Sequence, residues 1–192
     1  MRSQPARTAQ RAVPTQKPAV WKAPLLGLRS DVFATSDLSK LSKPELYREL
    51  AGQIAALVRD ETDPVANMAN CAAVLFYSVP RLNWVGFYLL KGGELVIGPF
   101  QGRPACVRIA FGRGVVGTAA EKRTIMRVGD VNQFPGHIVC DTASKSEVVV
   151  PLVSDDSHLL GVLDVDSPEL DRFDAEDEEG LRAIGQIISA KL

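Results

Sequence analysis

Residues 83–101 read NWVGFYLLKGGELVIGPFQ and predict a β-hairpin. The two-residue period that is typical of strands runs over Trp84–Leu90 and again over Glu94–Phe100, and Gly92-Gly93 separates the two runs. Adjacent glycines readily adopt the positive φ angles that a tight hairpin turn requires. Because the strands of a hairpin run antiparallel, we expect the fold to contain an antiparallel sheet.

A second hairpin is predicted further along the chain. Its strands are Glu147–Val153 and Leu159–Val165, and they are joined across Ser154–His158. Four shorter elements are predicted between the two hairpins: a strand, a short helix, a second strand and a long loop, at Val107–Phe111, Val115–Lys122, Thr124–Val128 and 129–145.

Three longer helices flank these strands. Ser42-x-x-Glu45 is a capping box, and an apolar stripe with helical spacing follows it. Asp63 and Pro64 begin a second helix as its N-cap and first helical residue. Asp174 caps a last helix, whose acidic first turn matches the positive end of the helix dipole.

The order of these elements indicates the fold class. Hairpins imply antiparallel pairing, and terminal helices can cover one face of the resulting sheet. A chain of 192 residues is long enough for one domain of ordinary size and too short for two comfortable ones. We therefore predict an α+β single domain over residues 41–192, with a central antiparallel sheet and flanking helices.

Residues 1–40 are predicted to be an N-terminal basic tail or targeting extension outside this domain. Residues 1–30 hold six basic side chains and no acidic one, whereas the rest of the chain carries 16 basic and 23 acidic residues. Arg-rich, acid-poor N-termini are typical of organelle transit peptides. An extension without a targeting role is the alternative.

Composition argues against several classes of protein. A net charge of −1 argues against a broadly basic nucleic-acid binder, and no apolar run reaches the length that spans a bilayer. Three widely separated cysteines argue against a disulfide-stapled secreted scaffold and for a reducing compartment. We therefore expect a cytoplasmic protein without nucleic-acid or membrane partners, with organelle targeting by the tail left open.

Two short motifs admit a cofactor or metal interpretation. Gly112-x-Gly114-x-x-Gly117 matches the dinucleotide-binding fingerprint, but the predicted helix is short and no further strand–helix units follow. The glycines are therefore interpreted as shaping a tight turn. His137-x-x-Cys140 could be half of a zinc site, yet the sequence lacks a second close pair of ligands, so no metal site is predicted.

The three cysteines differ in context. Cys71 lies on the apolar face of the second helix, so we predict that it is a core residue. Cys106 and Cys140 each lie in a loop between strands, and basic side chains near Cys140 could lower the pKa of its thiol. Cys140 is therefore a candidate for a reactive thiol.

Aromatic residues on the first strand indicate either a packed contact or a pocket. Trp84, Gly86 and Tyr88 share one face of that strand, because side chains alternate between the two faces. The glycine leaves a gap between two large rings. That gap can accept a helix packed closely against the sheet or can form the wall of a binding pocket.

Three acidic residues could converge near the end of the second hairpin. Asp164 and Asp166 share a face of one strand, and Glu147 opens its partner strand. Acids at the end of a buried strand are unusual unless they meet cations or hydrogen-bond donors. The alternative is a solvated sheet edge, where acids are ordinary.

Five longer motifs follow one another in a characteristic order and spacing. They are Asn83–Tyr88, Gly98–Gly102 with Pro104–Cys106, Phe134–Cys140, Ser146–Glu147 and Gly161–Pro168. With them the chain resembles the free methionine-R-sulfoxide reductases, GAF-fold enzymes that reduce the R epimer of free methionine sulfoxide to methionine. The resemblance spans about residues 40–192 and leaves the tail without a counterpart.

The resemblance implies roles for individual residues. Cys140 matches the nucleophile and Cys106 a resolving cysteine, which would join in a redox-active disulfide. Trp84 and Tyr88 match the aromatic residues that enclose the methyl-sulfoxide end of the substrate. The acids that hold the ammonium group and polarise the sulfoxide match Glu147, Asp164 and Asp166.

The resemblance also implies partners and exposes one difference. It implies a homodimer that uses no cofactor and takes reducing equivalents from thioredoxin or a similar dithiol. The family typically has a third cysteine in a Gly-Val-Cys-Gly turn, where this chain has Val116. The loss of that thiol keeps a second hypothesis open, namely a non-catalytic GAF domain that senses a small ligand.

Overall fold

A computed structural model describes residues 38–192 of the chain. The predicted tail lies outside the described residues except for Leu38–Lys40, a short 3-10 helix from which Leu38 packs against the core. Among the described residues, no helix combines the length and the apolar character that crossing a membrane would need.

Four α-helices and six strands make up the described domain. The helices are α1 (Lys43–Val58), α2 (Pro64–Ser78), α3 (Gly114–Lys122) and α4 (Ala175–Ser189). The strands are β1 (Trp84–Lys91), β2 (Glu94–Gln101), β3 (Arg108–Ile109), β4 (Met126–Val128), β5 (Ser146–Val153) and β6 (Leu159–Ser167). The α+β prediction is confirmed, as are both hairpins.

The strands form one antiparallel sheet in the order β3-β2-β1-β6-β5-β4. β1 of the first hairpin pairs with β6 of the second, so the two hairpins lie side by side at the centre of the sheet. In this register Trp84 lies opposite Asp166, and Gly86 lies opposite Asp164. The aromatic and acidic residues singled out in the sequence are therefore neighbours across one pair of strands.

The two faces of the sheet carry different helices. One core cluster combines α1, α2 and α4 with Val85 and Phe87 of β1. The cluster on the opposite face combines α3 with Trp84 and Tyr88 of the same strand. Alternation along β1 thus sends its odd-numbered residues toward three helices and its even-numbered residues toward the smaller layer around α3.

The predicted helix starts are confirmed by their capping bonds. The Ser42 backbone N–H donates to the Glu45 carboxylate at 2.9 Å, which fixes the first turn of α1. Asp63 accepts from the first backbone N–H groups of α2, and Asp174 does the same for α4. Cys71 of α2 is fully buried, as predicted for a core residue.

The strands β3 and β4 span fewer residues than the sequence predicted. The strand predicted over Val107–Phe111 is limited to Arg108–Ile109, because the Ala110 carbonyl already accepts a turn-forming bond from the Arg113 N–H. The strand predicted from Thr124 begins at Met126, because Arg123 ends α3 in a left-handed conformation (φ 50°).

The glycine motif lies at the start of α3, which links the two edge strands β3 and β4 of an antiparallel sheet and does not connect neighbouring parallel strands. The Gly112 N–H donates to the Gly117 carbonyl at 2.9 Å, and a Cβ on Gly117 would collide with the Ala110 carbonyl. Gly112 and Gly114 adopt positive φ angles of 71° and 60°. The interpretation as a tight turn is therefore confirmed.

A buried ionic network joins α1 to α4 on the face of the sheet opposite α3. Asp177 is fully buried and accepts from Tyr47 Oη and Arg172 Nη1, each at 3.0 Å. Lys43 Nζ lies 2.6 Å from the carboxylates of both Asp177 and Asp174. Moving α1 away from α4 would remove Lys43 and Tyr47 from the buried Asp177 carboxylate. Because a buried charge without its partners is costly, this network holds the two helices in one relative position.

Candidate active site

Three carboxyl groups meet on the sheet face that α3 covers. Asp164 and Asp166 lie on β6, and Glu147 lies on β5 directly opposite Asp166 in the antiparallel register. One carboxylate oxygen from each residue lies within 4.8 Å of the other two. The structure thus brings together the three acids that the sequence could only place on neighbouring strands.

Burial dominates the electrostatics of these acids. Loss of hydration raises the pKa of Glu147, Asp164 and Asp166 well above the ordinary carboxyl range, and the neighbouring acids raise these pKa values further. A hydrogen bond between Glu147 and Asp164 raises the pKa of Asp164 and lowers that of Glu147. The cluster therefore retains a proton more readily than isolated carboxylates do.

One carboxyl oxygen in this cluster has no hydrogen-bond partner among the described residues. Asp164 is 5% exposed, and its Oδ1 makes no hydrogen bond within the described part of the chain. A buried carboxyl oxygen without a partner is costly, so this oxygen favours a ligand that hydrogen-bonds to it, either as a donor to the carboxylate or as an acceptor of the carboxyl proton.

An aromatic wall borders the carboxyl cluster. The buried rings of Trp84 and Tyr88 are stacked with their centroids 5.9 Å apart, and Phe100 stacks on Trp84 at 5.4 Å. A Cβ on Gly86 would collide with the six-membered ring of Trp84, so the indole occupies the gap that this glycine leaves. Trp84 and Tyr88 also line the cavity that contains the carboxyl cluster.

The two loop cysteines are joined at the same cavity. Cys106 and Cys140 form a disulfide with their Cα atoms 5.3 Å apart, although 34 positions separate them in the sequence. That Cα separation lies within the usual range for disulfides, so the bond needs no displacement of either loop. Cys140 itself lines the cavity, and the thiol of Cys71 stays in the core, where burial raises its pKa.

The N-terminus of α3 closes another side of the cavity. Gly114, Val115 and Val116 line it, and Val116 is only 6% exposed. The first N–H groups of a helix have no partner within that helix, and the N-cap residue Arg113 supplies no side-chain cap. The cavity therefore has backbone donors on the side of α3 and carboxyl groups on the side of the sheet.

Four further polar residues complete the site. Local sequence patterns had assigned none of them a role in it. The Asn83 amide donates to Ser144 Oγ at 2.9 Å and to Asp141 Oδ2 at 3.3 Å. Ser144 in turn hydrogen-bonds to Asp166. His137 also lines the cavity, and partial burial lowers its pKa despite the opposing effect of Asp130. Asn83 and His137 fall inside family-like motifs, whereas Asp141 and Ser144 carry no comparable signal.

The carboxyl cluster is also the part of the described structure best suited to a cation. Glu147, Asp164 and Asp166 offer converging oxygens, and their crowding favours a positively charged partner. Either a metal ion or an ammonium group meets that requirement. The expectation that the protein uses no metal stays a prediction.

The fold and this site define the class of protein. Residues 51–192 match the GAF domain family, so the chain belongs to that family. GAF domains share one fold, and the residues in the cavity distinguish one group of them from another.

Relatives identify the group within the class. Free methionine-R-sulfoxide reductase of Escherichia coli is 49% identical over 144 residues, which is 75% of this chain and 87% of that relative. The enzyme of the same name from Saccharomyces cerevisiae is 39% identical over 158 residues, 79% of this chain and 88% of that protein.

A solved structure agrees with these relatives. The X-ray structure of free methionine-R-sulfoxide reductase from Neisseria meningitidis in complex with its substrate superposes with a TM-score of 0.76. It is 49% identical in sequence and covers 79% of this chain and 90% of its own. The chain therefore belongs to the free methionine-R-sulfoxide reductase family.

Proposed function

We propose that this protein reduces free methionine-R-sulfoxide to methionine by thiol chemistry. The observation that carries the proposal is the disulfide between Cys106 and Cys140, which borders the cavity that holds the carboxyl cluster and Trp84. A reducible sulfur pair, proton-retaining acids and an aromatic wall are the groups that sulfoxide reduction requires. The names of the two relatives support the same substrate.

The substrate is a zwitterion, and the cavity offers complementary groups. The ammonium group lies near Glu147 and Asp166, where it neutralises crowded acids, and the sulfoxide oxygen lies near Asp164. The carboxylate lies near the N-terminus of α3, where no side-chain cap competes for the first backbone N–H groups and the positive end of the helix dipole favours an anion. Trp84 and Tyr88 enclose the methyl-sulfoxide end. A cavity that surrounds a whole amino acid excludes peptide-bound methionine sulfoxide.

Acid assistance comes from the carboxyl cluster. A sulfoxide becomes a better electrophile at sulfur when its oxygen is protonated or strongly hydrogen-bonded. Asp164 is suited to retain a proton, because burial, the charge of Glu147 and the bond to Glu147 all raise its pKa, and its Oδ1 makes no hydrogen bond within the described part of the chain. Asp164 therefore donates to the sulfoxide oxygen, while Glu147 and Asp166 hold the charged amino group.

Cys140 performs the nucleophilic step. Its thiolate attacks the substrate sulfur and the oxygen passes to the cysteine, so one thiol and one sulfoxide give one sulfenic acid and one methionine. Cys106 then attacks the sulfenic sulfur. An S–S bond forms, the S–O bond breaks, and the oxygen leaves as water with the two available protons.

A dithiol of the thioredoxin type completes the cycle. It reduces the disulfide by thiol–disulfide exchange and becomes oxidised itself, so the protein needs no bound cofactor. We further propose that the protein acts in the cytoplasm as a homodimer. We also propose that the chain divides into a basic tail, residues 1–40, and a GAF domain, residues 41–192; organelle targeting by the tail is the alternative to a cytoplasmic location.

The test compares two cysteine variants in a thioredoxin-coupled assay with free methionine-R-sulfoxide. We expect Cys140→Ser to lose turnover, because the nucleophile is removed. The matched control, Cys71→Ser, removes a buried thiol that does not border the cavity and keeps turnover. Parent-level activity of Cys140→Ser would refute the assigned nucleophile. If the parent protein binds the sulfoxide but releases no methionine, it is a ligand sensor and the proposed function fails.

A further inference from the structure

The indole of Trp84 is tied to the loop that carries Cys106. Its Nε1–H donates to the backbone carbonyl of Arg103 at 3.0 Å. Arg103 precedes Cys106 by three residues in the loop between β2 and β3. Trp84 therefore does more than line the cavity, because it also makes a directional bond to the segment that bears one of the two active sulfurs.

Close contacts restrict the position of this indole. A Cβ on Gly102 would lie 2.6 Å from Trp84 Cδ1 and 2.7 Å from the Asn83 carbonyl. Gly86 supports the other end of the ring, and Phe100 stacks on it with an interplanar angle of 14°. Since the ring cannot shift easily, its N–H is held in one position, from which it donates to the Arg103 carbonyl.

Apart from the disulfide at Cys106, which is absent before the resolving step, the loop has few other restraints. Within the described part of the chain, residues 102–106 make no backbone–backbone hydrogen bond. Ala105 and Cys106 pack partly buried against the cluster around α3, and Val107 accepts from the Ile97 N–H at 3.0 Å. The bond from Trp84 is therefore a principal directional restraint on the residues that precede Cys106.

We propose that Trp84 is a positioning residue for the resolving cysteine. Its indole N–H holds the Cys106 loop so that the Cys106 thiol lies ready to attack a sulfenic acid on Cys140. In that step the thiol and the sulfenic acid give one disulfide and one water. The inference rests on the proposed function for the origin of the sulfenic acid. Any oxidant that converts Cys140 to a sulfenic acid would require the same attack by Cys106.

The test removes the N–H donor and keeps the ring. The full-length Trp21→Phe protein, in which Trp84 is the remaining tryptophan, is produced with 3-benzothienylalanine in place of tryptophan. Sulfur then replaces the indole N–H at nearly the same size. Reduced protein is oxidised in one arm by methionine-R-sulfoxide and in the other by hydrogen peroxide. Dimedone trapping and mass spectrometry then follow the sulfenic acid and the disulfide over time.

Two glycine variants supply an independent comparison. Gly102→Ala introduces a Cβ against Trp84 at a residue with φ of 130°. Gly93→Ala also places a Cβ on a residue with positive φ, 85°, but in the hairpin turn, where nothing described lies within 4 Å of the new Cβ. Thermal melts verify that each protein is folded. We expect Gly102→Ala to slow disulfide formation, whereas Gly93→Ala does not.

The expected result is a disulfide-forming rate that falls about fivefold in both arms when the donor is absent, the size of one neutral hydrogen bond. An unchanged rate in the peroxide arm would overturn the inference and leave the proposed function intact. If the protein forms no methionine from the sulfoxide but shows the slowing with peroxide, the proposed function fails and the positioning role stands.

Discussion

Cys106 and Cys140 form a disulfide with their Cα atoms 5.3 Å apart, although each lies in a different loop and 34 positions separate them. Cys106 follows β2 of the first hairpin, and Cys140 precedes β5 of the second. The pairing of β1 with β6 is what brings these two hairpins, and thus the two sulfurs, to one side of the sheet. The redox chemistry proposed for this protein therefore depends on the topology of its sheet.

Replacing the proton-retaining acid should reduce catalysis. Asp164→Asn keeps the size of the side chain but removes the acid, and general acid assistance is worth about 10²–10⁴-fold in rate. We expect kcat/KM for free methionine-R-sulfoxide to fall within that range, with a smaller effect than Cys140→Ser. Asp155→Asn, in an exposed turn, is the control. Parent-level kcat/KM for Asp164→Asn would exclude Asp164 as the acid.

The same variant should gain stability at neutral pH. Burial raises the pKa of Asp164 above the ordinary value of 3.8, so the folded protein binds this proton more tightly than the unfolded chain does. The resulting stabilisation is fully present below about pH 3.8 and is lost as the pH rises toward the raised pKa. Asp164→Asn does not titrate, so its advantage over the parent grows with pH.

Urea denaturation of the oxidised proteins at acidic and at mildly alkaline pH measures this advantage. Asp155→Asn serves again as the control, because an exposed carboxyl should give no pH-dependent difference of this kind. A free energy of unfolding that falls in parallel for parent and Asp164→Asn across that range would show that Asp164 is ionised in the folded protein.

Adding a thiol at Val116 should not change which sulfurs react. Val116 lines the cavity and is nearly buried, and valine and cysteine are similar in size, so Val116→Cys should fold. Because Cys106 and Cys140 close the redox cycle by themselves, we expect near-parent turnover and two thiols consumed per methionine. A large gain in turnover would indicate that the family thiol at this position performs a step assigned here to Cys140.

Removing the buried charge of Asp177 should destabilise the domain without changing any residue that lines the cavity. Asp177→Asn leaves Arg172 buried without its ionic partner, which typically costs about 3–5 kcal/mol in the free energy of unfolding. Asp174→Asn keeps the α4 cap and alters an ion pair of a half-exposed side chain, so we expect a loss of about 0–1 kcal/mol. Equal losses in chemical denaturation would contradict the proposed role of the network.

Local features of the fold could be predicted because local residues determine them. The glycine pair at 92–93 and the caps at Ser42, Asp63 and Asp174 act within a few residues of themselves, and the structure has each element where the pattern indicated. The ends of short strands depend on distant partners instead. The strand predicted from Val107 is therefore shorter in the structure.

The site shows the same division. Alternation predicted that Asp164 and Asp166 share a face, but which strand lies opposite depends on the packing of the whole sheet. The family resemblance supplied Cys106 and Cys140 as a pair, which spacing alone could not do. The bonds from Asn83 to Ser144 and from Trp84 to Arg103 join segments that local sequence patterns do not relate.

The most direct test of the proposed chemistry is a single-turnover thiol count. The fully reduced protein, which has three cysteines, is mixed with free methionine-R-sulfoxide in the absence of any other reductant. We predict that two thiols disappear for each methionine formed and that peptide mapping finds the disulfide between Cys106 and Cys140. Methionine formed with all three thiols intact, or thiols lost without methionine, would contradict the account.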